Sequence, residues 1–283
     1  MSYTGRVAMN LAREMRLLAN RGLGKIEPQR RRTELRPVVS AFDELEVLEI
    51  GGPSVIFEPA LLLPVYGVIA HRDLANYASS TLWDSGRRSS PARREFVAEA
   101  TALGCPDEAY DGLLASHVIE HTANPLGALA EWRRVTREDG PLLIVVPHRE
   151  MTFDHRRTVT TLEHMRDDER AAMGEDDQTH VPEVLARHDP QHDFFEGDAE
   201  AFERRCRDNL RFRALHHHVF STRSAALTVH AAGLVVTHIV ACRPHHIVIL
   251  ARRPGTGEVA PVTQEALQAA LRRSPFASDR RDV

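Results

Sequence analysis

Histidine and carboxylate side chains that can move a proton stand beside two apolar segments of the chain. The chain has 16 histidines and 40 aspartates and glutamates among 283 residues. Imidazole ionises near neutral pH, so a well-placed histidine can take a proton from a hydroxyl or amino group. The candidates in or just after the apolar segments are His117, Glu120, His121, His148 and His155.

A glycine pair follows an earlier apolar segment. The residues are Glu49-Ile50-Gly51-Gly52-Pro53-Ser54, at the end of the apolar run 45–50. Glycine has no Cβ, so the backbone at Gly51 and Gly52 can approach a ligand closely. Seen alone, a glycine pair after a strand is an ordinary tight turn.

Apolar strands alternate with helical segments, which predicts a doubly wound parallel sheet with its ligand site at the carboxyl ends of the strands. Residues 91–104 suit a helix and a short third strand. The other predicted strands are 45–50, 65–70, 112–116, 142–146, 234–241 and 247–252, and the predicted helices are 125–136, 222–232 and 263–272.

The same patterns divide the chain into three parts. Residues 1–40 are predicted as an N-terminal segment, with an amphipathic helix at 4–20 and an Arg-rich linker at 25–37. Residues 41–253 form the main domain, and residues 254–283 a linker, a helix and a charged tail. Within the main domain, residues 148–220 are rich in His, Asp, Glu and Arg and show no strand alternation, so we expect a helical insertion.

Residues 45–150 resemble the class I S-adenosylmethionine (SAM)-dependent methyltransferases of the type 11/23-like group. Residues 111–148, which read DGLLASHVIEHTANPLGALAEWRRVTREDGPLLIVVPH, are similar to the block that follows the family's fourth strand. Glu49 to Ser54 resemble its acidic, glycine-rich loop, although Pro53 and Val55 stand where the family has later glycines. The resemblance implies an α/β, doubly wound, seven-stranded Rossmann-like sheet closed by an antiparallel hairpin, with SAM as the cofactor.

The resemblance also implies roles for residues at the strand ends. Glu49 would orient the amino acid end of SAM, Asp73 would hold the ribose hydroxyls, and Glu99-Ala100 would meet the adenine edge. The full predicted cofactor-binding set is Glu49, Gly51, Gly52, Asp73, Glu99, Ala100, Ser116 and His117.

Methyl transfer is an in-line displacement that depends on holding the acceptor close to the methyl group, and it needs no covalent residue. A hydroxyl acceptor benefits from a general base. His155 follows the fifth strand, where acceptor residues enter in this fold, and is our predicted base. His121 is the second predicted catalytic residue, although the Glu-His pair that contains it also shapes the turn in many members.

The histidine-rich insertion raises the question of a metal. Imidazole and carboxylate are standard ligands for divalent ions. The chain has no HExxH spacing, however, and the consecutive histidines 216–218 must point in different directions. We therefore predict no metal, and interpret the insertion as a polar acceptor pocket or as ordinary hydrogen-bonded histidines.

Composition and charge limit the kinds of partner that we expect for the protein. A formal net charge of -4 argues against nucleic-acid binding, and no apolar stretch is long enough to span a membrane. Three widely spaced cysteines without a CxxC pair fit a reducing, cytoplasmic protein. The helix at 4–20 could cover the site or pair with a second copy, so a homodimer is possible.

Two functions stand after this reasoning. The first is SAM-dependent methylation of oxygen or nitrogen on a small-molecule acceptor, such as a sugar or specialised metabolite. The alternative is a catalytically degenerate, methyltransferase-like binding or scaffold protein, motivated by the altered glycine loop. A metal-assisted enzyme is the third and least supported interpretation.

Overall fold

The computed structural model describes residues 29–59, 61–77, 92–193, 198–255 and 262–283, and within them a single seven-stranded sheet. The strands are β1 (Glu46–Ile50), β2 (His71–Asn76), β3 (Arg94–Val97), β4 (Gly112–Ser116), β5 (Pro141–Pro147), β6 (Val235–Cys242) and β7 (His246–Arg252). Their order is β3-β2-β1-β4-β5-β7-β6. The strands from β3 to β5 are parallel, and β7 is antiparallel to both β5 and β6. The predicted Rossmann-like fold with a closing hairpin is confirmed.

Helices cover both faces of the sheet. They are α1 (Gln29–Ser40), α2 (Pro125–Val135), α3 (Leu162–Arg170), α4 (Val181–Arg187), α5 (Ala199–Arg207), α6 (Asn209–Phe212), α7 (Thr222–Ala231), α8 (Gln264–Arg273) and α9 (Ala277–Arg281). No described helix is long and apolar enough to cross a membrane.

Alternate residues of each central strand enter two separate apolar cores. On β4, Leu113 packs with Trp132 of α2, whereas its neighbour Leu114 packs with Leu35 and Val38 of α1. All of these side chains are buried. Because both faces of the sheet are covered in this way, the ligand site is left to the edge where the parallel strands end.

The predicted strand at 65–70 was wrong. Residues Val65–Gly67 form a short 3-10 helix, and the strand is the following segment, His71–Asn76. Val65 and Tyr66 are buried beneath the sheet, so their apolar character reflects packing and not pairing. The real strand looked polar because it contains two charged residues, Arg72 and Asp73. Both can be buried because each has a partner of opposite charge.

Other differences lie outside the central sheet. The segment 25–37, predicted as a linker, is helical from Gln29 onward because α1 buries Leu35 and Val38. The described residues 92–104 contain β3 without the predicted helix. The predicted helix at 4–20 lies outside the described residues.

The described part of residues 148–220 contains helices α3 to α6 and has its own small core. Phe153, Val184, Phe202 and Leu215 pack together there, with helices α3 to α6 around them. The segment that returns to the sheet, 213–220, follows α6 and brings the three consecutive histidines back toward β4 and β5.

The predicted charged tail is an ordered part of the fold. Asp279 of α9 is buried, and its carboxylate accepts hydrogen bonds from Thr222 Oγ1 (2.5 Å) and Ser274 Oγ (2.6 Å). His148, at the end of β5, places Nε2 3.2 Å from the same carboxylate and stacks on Phe276. The C-terminal helices therefore pack against the start of the insertion and against α7.

Candidate functional site

The carboxyl edge of the parallel strands gathers glycine, amide, hydroxyl and imidazole groups. Gly51 follows β1, Asn76 ends β2, Ser116 ends β4, and His117 follows it. The antiparallel hairpin adds His246, the first residue of β7. Such an edge is where open α/β sheets bind their ligands.

The Glu49 carboxylate is completely buried and faces the protein. It forms an ion pair with Arg72 of β2 and accepts hydrogen bonds from Tyr66 Oη (2.8 Å) and the Ser54 backbone N–H (2.9 Å). The Arg72 guanidinium lies 4.3 Å from the centre of the Tyr66 ring. Burial, and then the negative charge of Glu49, keep the pKa of Tyr66 far above its ordinary value, so the phenol acts as a donor. These contacts give Glu49 a role in holding the glycine loop.

At each of the two glycines in that loop, a side chain would collide with a different neighbouring residue. A Cβ on Gly52 would collide with the Glu49 carboxylate, which cannot move because it is held from three sides. Gly51 has a φ of +73° and is exposed at the edge, and a Cβ there would lie 2.5 Å from Val118 Cγ2. The backbone at Gly51 thus passes close to the loop after β4 with no room for a side chain.

Asp73 does not lie at the end of its strand. It pairs with Leu48 in the middle of the sheet, three residues before Asn76. Its buried carboxylate accepts hydrogen bonds from Tyr110 Oη (3.0 Å) and Arg93 Nε (3.1 Å). The residue at the carboxyl end of β2 is Asn76, whose amide donates to the Gly52 carbonyl over 2.9 Å. The placement of Asp73 just beyond the second strand was wrong because that strand is shifted along the sequence.

The predicted adenine-side residues follow β3. Glu99 forms an ion pair with Arg213 of the insertion over 2.6 Å, and Arg213 also pairs with Glu175. The Arg213 guanidinium lies 5.1 Å from the centre of the Tyr77 ring, just after β2. The Ala100 carbonyl accepts from the Trp132 indole over 3.0 Å. The insertion is therefore anchored beside the cofactor edge through Arg213.

His117 is the centre of a histidine cluster at the same edge. Its φ is +56°, and its Nε2 lies 3.0 Å from Nδ1 of His246. The His117 and His245 rings are 5.1 Å apart. On the other side of the ring, Nδ1 of His117 lies 3.4 Å from a carboxylate oxygen of Glu120. His117 thus connects the hairpin to the turn after β4.

Glu120, which is buried, and His121, which is partly exposed, form an acid–base pair in that turn. His121 Nδ1 lies 3.1 Å from the Leu215 carbonyl, so this nitrogen carries the proton and Nε2 carries a lone pair. That Nε2 lies 3.8 Å from Glu120 Oε1, and among the described residues Glu120 Oε2 has no hydrogen-bond partner. Burial, and then the charge of His216, lower the pKa of His121 to about 4, so the ring is neutral at pH 7.

His216 has the opposite protonation behaviour although its ring lies 4.5 Å from that of His121. Its Nδ1 is bonded to the Asp154 carboxylate, which also accepts from Arg157 over 3.0 Å. Burial alone would lower the pKa of His216, but the charge and hydrogen bond of Asp154 outweigh it and raise the pKa above its ordinary value. A histidine with a raised pKa and one with a lowered pKa therefore lie side by side.

His155, the predicted base, makes its contacts inside the insertion. Its Nε2 lies 2.8 Å from Asp189 Oδ2, and its ring packs 4.4 Å from that of His192. Arg156 reaches the same Asp189 oxygen over 3.2 Å. The structure thus brings together His117, Glu120 and His121, and it holds His155 in a different cluster.

Several residues at the site were missed by the sequence reasoning. Tyr66, Arg72 and Asn76 belong to a segment whose strand was placed too early. Asp154 and His216 come together only through the fold, since 62 positions separate them. The adjacent charges of Arg72 and Asp73 inside an otherwise strand-like segment were the one available signal for a buried ion pair.

One family of known proteins matches part of the chain. Residues 48–144, from β1 through most of β5, match the family model described as a methyltransferase domain. No curated protein sequence matches the chain. The chain is similar to a solved S-adenosylmethionine-dependent methyltransferase from Listeria monocytogenes, with 14% identity, a TM-score of 0.46, and coverage of 81% of this chain and 100% of that one. A second similar structure, from Mesorhizobium loti, has 12% identity, a TM-score of 0.46, and coverage of 78% and 98%.

The role of Glu49 can be tested by Glu49→Gln, with Glu46→Gln on the same strand as the control. Glu46 is half exposed and pairs with Arg93 at the surface. Glu49→Gln removes the charge that Arg72 faces, so we expect a loss of about 3–5 kcal/mol in the free energy of unfolding, measured with urea. The control should change it by less than about 1 kcal/mol. Equal stability of the two variants would contradict the structural role.

The protonation of His216 can be followed by NMR titration of its ring in wild type and in Asp154→Asn. The raised folded pKa means that His216 contributes stability below its unfolded value, and this contribution is lost as the pH rises through the folded pKa. In Asp154→Asn burial dominates, so the pKa of His216 should fall below its ordinary value. Asp176→Asn, at an exposed position, is the control and should leave it raised. An unchanged pKa in Asp154→Asn would show that the pair does not form.

Proposed function

We propose that the chain contains a class I SAM-dependent methyltransferase domain and transfers the methyl group of SAM to an oxygen or nitrogen of a polar small molecule, such as a sugar or specialised metabolite. The observation that carries the proposal is the family match over residues 48–144, which spans the parallel strands whose ends form the site. SAM, when bound, supplies a methyl group on a positively charged sulfur.

The residues at the sheet edge fit this cofactor. Gly51 offers exposed backbone at the end of β1, and Asn76 offers an amide at the end of β2, where the ribose hydroxyls need a partner. We assign the ribose to Asn76 in place of Asp73. We retain Glu99 and Ala100 as the residues that meet the adenine edge of SAM.

The methionine side of the cofactor falls at the end of β4 and beside the glycine loop. Ser116 and His117 border it, and the backbone of Gly51 and Gly52 faces it across the loop after β4. Glu49 supports this arrangement from within the protein, because its carboxylate fixes the loop through Ser54 and Arg72. We therefore assign Glu49 an indirect role in binding.

The acceptor side is formed by the turn after β4 and the returning segment of the insertion. His121 presents a lone pair on Nε2, and Leu215 fixes the ring through the other nitrogen. Among the described residues the buried Glu120 Oε2 has no hydrogen-bond partner, and we assign it to a donor on the acceptor. Groups of this kind suit a hydroxyl-rich or amino-bearing molecule.

These positions define where the proton of the acceptor goes during methyl transfer. A bond forms between the acceptor oxygen and the methyl carbon while the bond from sulfur to that carbon breaks, and the acceptor proton passes to His121 Nε2. The Glu120 carboxylate, 3.8 Å away, stabilises the imidazolium that results. His155 retains its predicted role only if the insertion moves it toward this pair, and we therefore favour His121.

A second candidate function, binding without catalysis, is supported by one observation. Two of the three carboxylates expected to bind SAM, Glu49 and Asp73, are buried and occupied by contacts within the protein. A methyltransferase-like scaffold would tolerate this arrangement, whereas an enzyme must replace both roles. The two functions differ in whether the folded protein binds SAM.

Calorimetric titration with SAM and S-adenosylhomocysteine tests the proposed function. Micromolar binding of both, followed by transfer of a labelled methyl group to a pool of sugars and polar metabolites, is the expected result. Absence of binding to protein whose folding is verified by circular dichroism would favour the scaffold instead.

The base can be identified with His121→Asn, using His155→Asn as the matched control. An asparagine amide can still donate to the Leu215 carbonyl, so His121→Asn removes the basic nitrogen and retains the structural hydrogen bond. Turnover should fall roughly 100-fold or more while the SAM dissociation constant is unchanged. His155→Asn should retain activity within a few-fold. The reverse pattern would return the catalytic role to His155.

A further inference from the structure

Four side chains of the kinds that bind metals, three histidines and one aspartate, lie close together in the insertion. His164 and Asp168 lie one turn apart on α3, His180 directly precedes α4, and His218 lies in the segment before α7. His164 Nε2 is 2.9 Å from His180 Nε2 and 3.5 Å from Asp168 Oδ2. His218 Nε2 is 3.6 Å from the same Asp168 oxygen. Ligand atoms of the three histidines all lie within 4.8 Å of one another.

These separations match those around a small tetrahedral ion. With ligand bonds of about 2.0–2.1 Å, two ligands of tetrahedral zinc are roughly 3.3–3.4 Å apart. The three measured separations, 2.9, 3.5 and 3.6 Å, lie on either side of that value. The three histidine nitrogens are therefore placed to bind one ion, and the Asp168 oxygen lies beside two of them.

Asp168 points to a cation at this place. Its side chain is only 5% exposed, and among the described residues its Oδ2 has no hydrogen-bond donor. A buried carboxylate oxygen without a donor is costly unless a positive charge stands beside it. His218 is completely buried, and its remaining nitrogen, Nδ1, also has no hydrogen-bond partner among these residues.

A second layer of contacts orients one of the histidines. The Nδ1 of His180 lies 3.0 Å from Asp177 Oδ2 and thereby points Nε2 toward His164. Asp177 is itself fixed by the Thr179 backbone N–H (3.0 Å) and hydroxyl (2.8 Å). A carboxylate that holds the far nitrogen of a ligating histidine is a recurrent feature of metal sites.

We propose that His164, Asp168, His180 and His218 bind one divalent first-row transition-metal ion, with zinc as the best match to three imidazoles and a carboxylate. The ion joins α3, the residue before α4 and the returning segment, and so fixes the insertion beside the start of α2. His218 Nε2 now lies 3.2 Å from the Ala123 carbonyl, and the ion replaces this contact. His164 is 45% exposed and provides the side from which the ion enters.

The cluster of His117, His245 and His246 is a weaker candidate for the same ion. Its nearest carboxylate, Glu120, approaches His117 on the nitrogen opposite to the one that faces His246. In the insertion, by contrast, a buried carboxylate oxygen lies 3.5 and 3.6 Å from the nitrogens of two of the three histidines.

The test uses full-length protein without a histidine tag, stripped with a chelator and titrated with zinc against a chromophoric competitor. We expect one zinc per chain and a higher melting temperature. Asp168→Asn should weaken binding roughly 100-fold or more, and Asp177→Asn about 10- to 100-fold. Asp167→Asn is the matched control, because this residue is exposed on the same helix, and it should bind zinc as the wild type does.

Cobalt provides a readout that does not depend on stability. Co²⁺ bound by wild type should give the strong visible absorption of a tetrahedral complex, and Asp168→Asn, shown to be folded by circular dichroism, should lose it. Absence of stoichiometric zinc binding by the wild type would overturn the proposal. So would zinc that is retained in Asp168→Asn and lost in His246→Gln, since the ion would then lie at the other cluster.

Discussion

The buried ion pair between Glu49 and Arg72 is the interaction on which the ligand edge of the sheet depends. A carboxylate removed from water must be matched by a cation and by hydrogen-bond donors. Arg72 supplies the charge from β2, and Tyr66 and Ser54 supply the donors, so β1, β2 and the intervening segment must assemble together. The pair leaves no room for a side chain at Gly52, and it turns the carboxylate away from the edge. What remains for a ligand is exposed backbone and the amide of Asn76.

A buried carboxylate that is matched by a cation and by hydrogen-bond donors also determines the structure of the insertion. Asp154 is buried between Arg157 and His216, and Arg157 also donates to the backbone carbonyls of His216 and His217. These contacts fix the returning segment, and Leu215 of that segment fixes His121. Burial, and then the charge of His216, lower the pKa of His121, which keeps its lone pair, while Asp154 raises the pKa of His216. The position and the protonation state of the proposed catalytic pair, Glu120 and His121, therefore depend on a buried ion pair.

The sequence predicted the elements whose burial follows a simple period. The strand 112–116 agrees to the residue, and the helix 125–136 ends one residue early, because both pack apolar side chains at regular spacing. The second strand was misplaced because its burial involves Arg72 and Asp73, which apolar periodicity does not detect. Apolar periodicity also does not detect most of the contacts in the site. The positions of Gly51 and Ser116 follow from local sequence, whereas the partners of Glu49, His121 and His216 are set by contacts between distant segments.

A crystal structure of the complex with S-adenosylhomocysteine tests the central claim most directly, since it shows what the Glu49 carboxylate contacts when the site is filled. We predict that Glu49 stays bonded to Arg72 and Tyr66 while the ribose hydroxyls meet Asn76 at the end of β2. A complex in which Glu49 has left Arg72 and binds the amino group of the ligand would contradict the account.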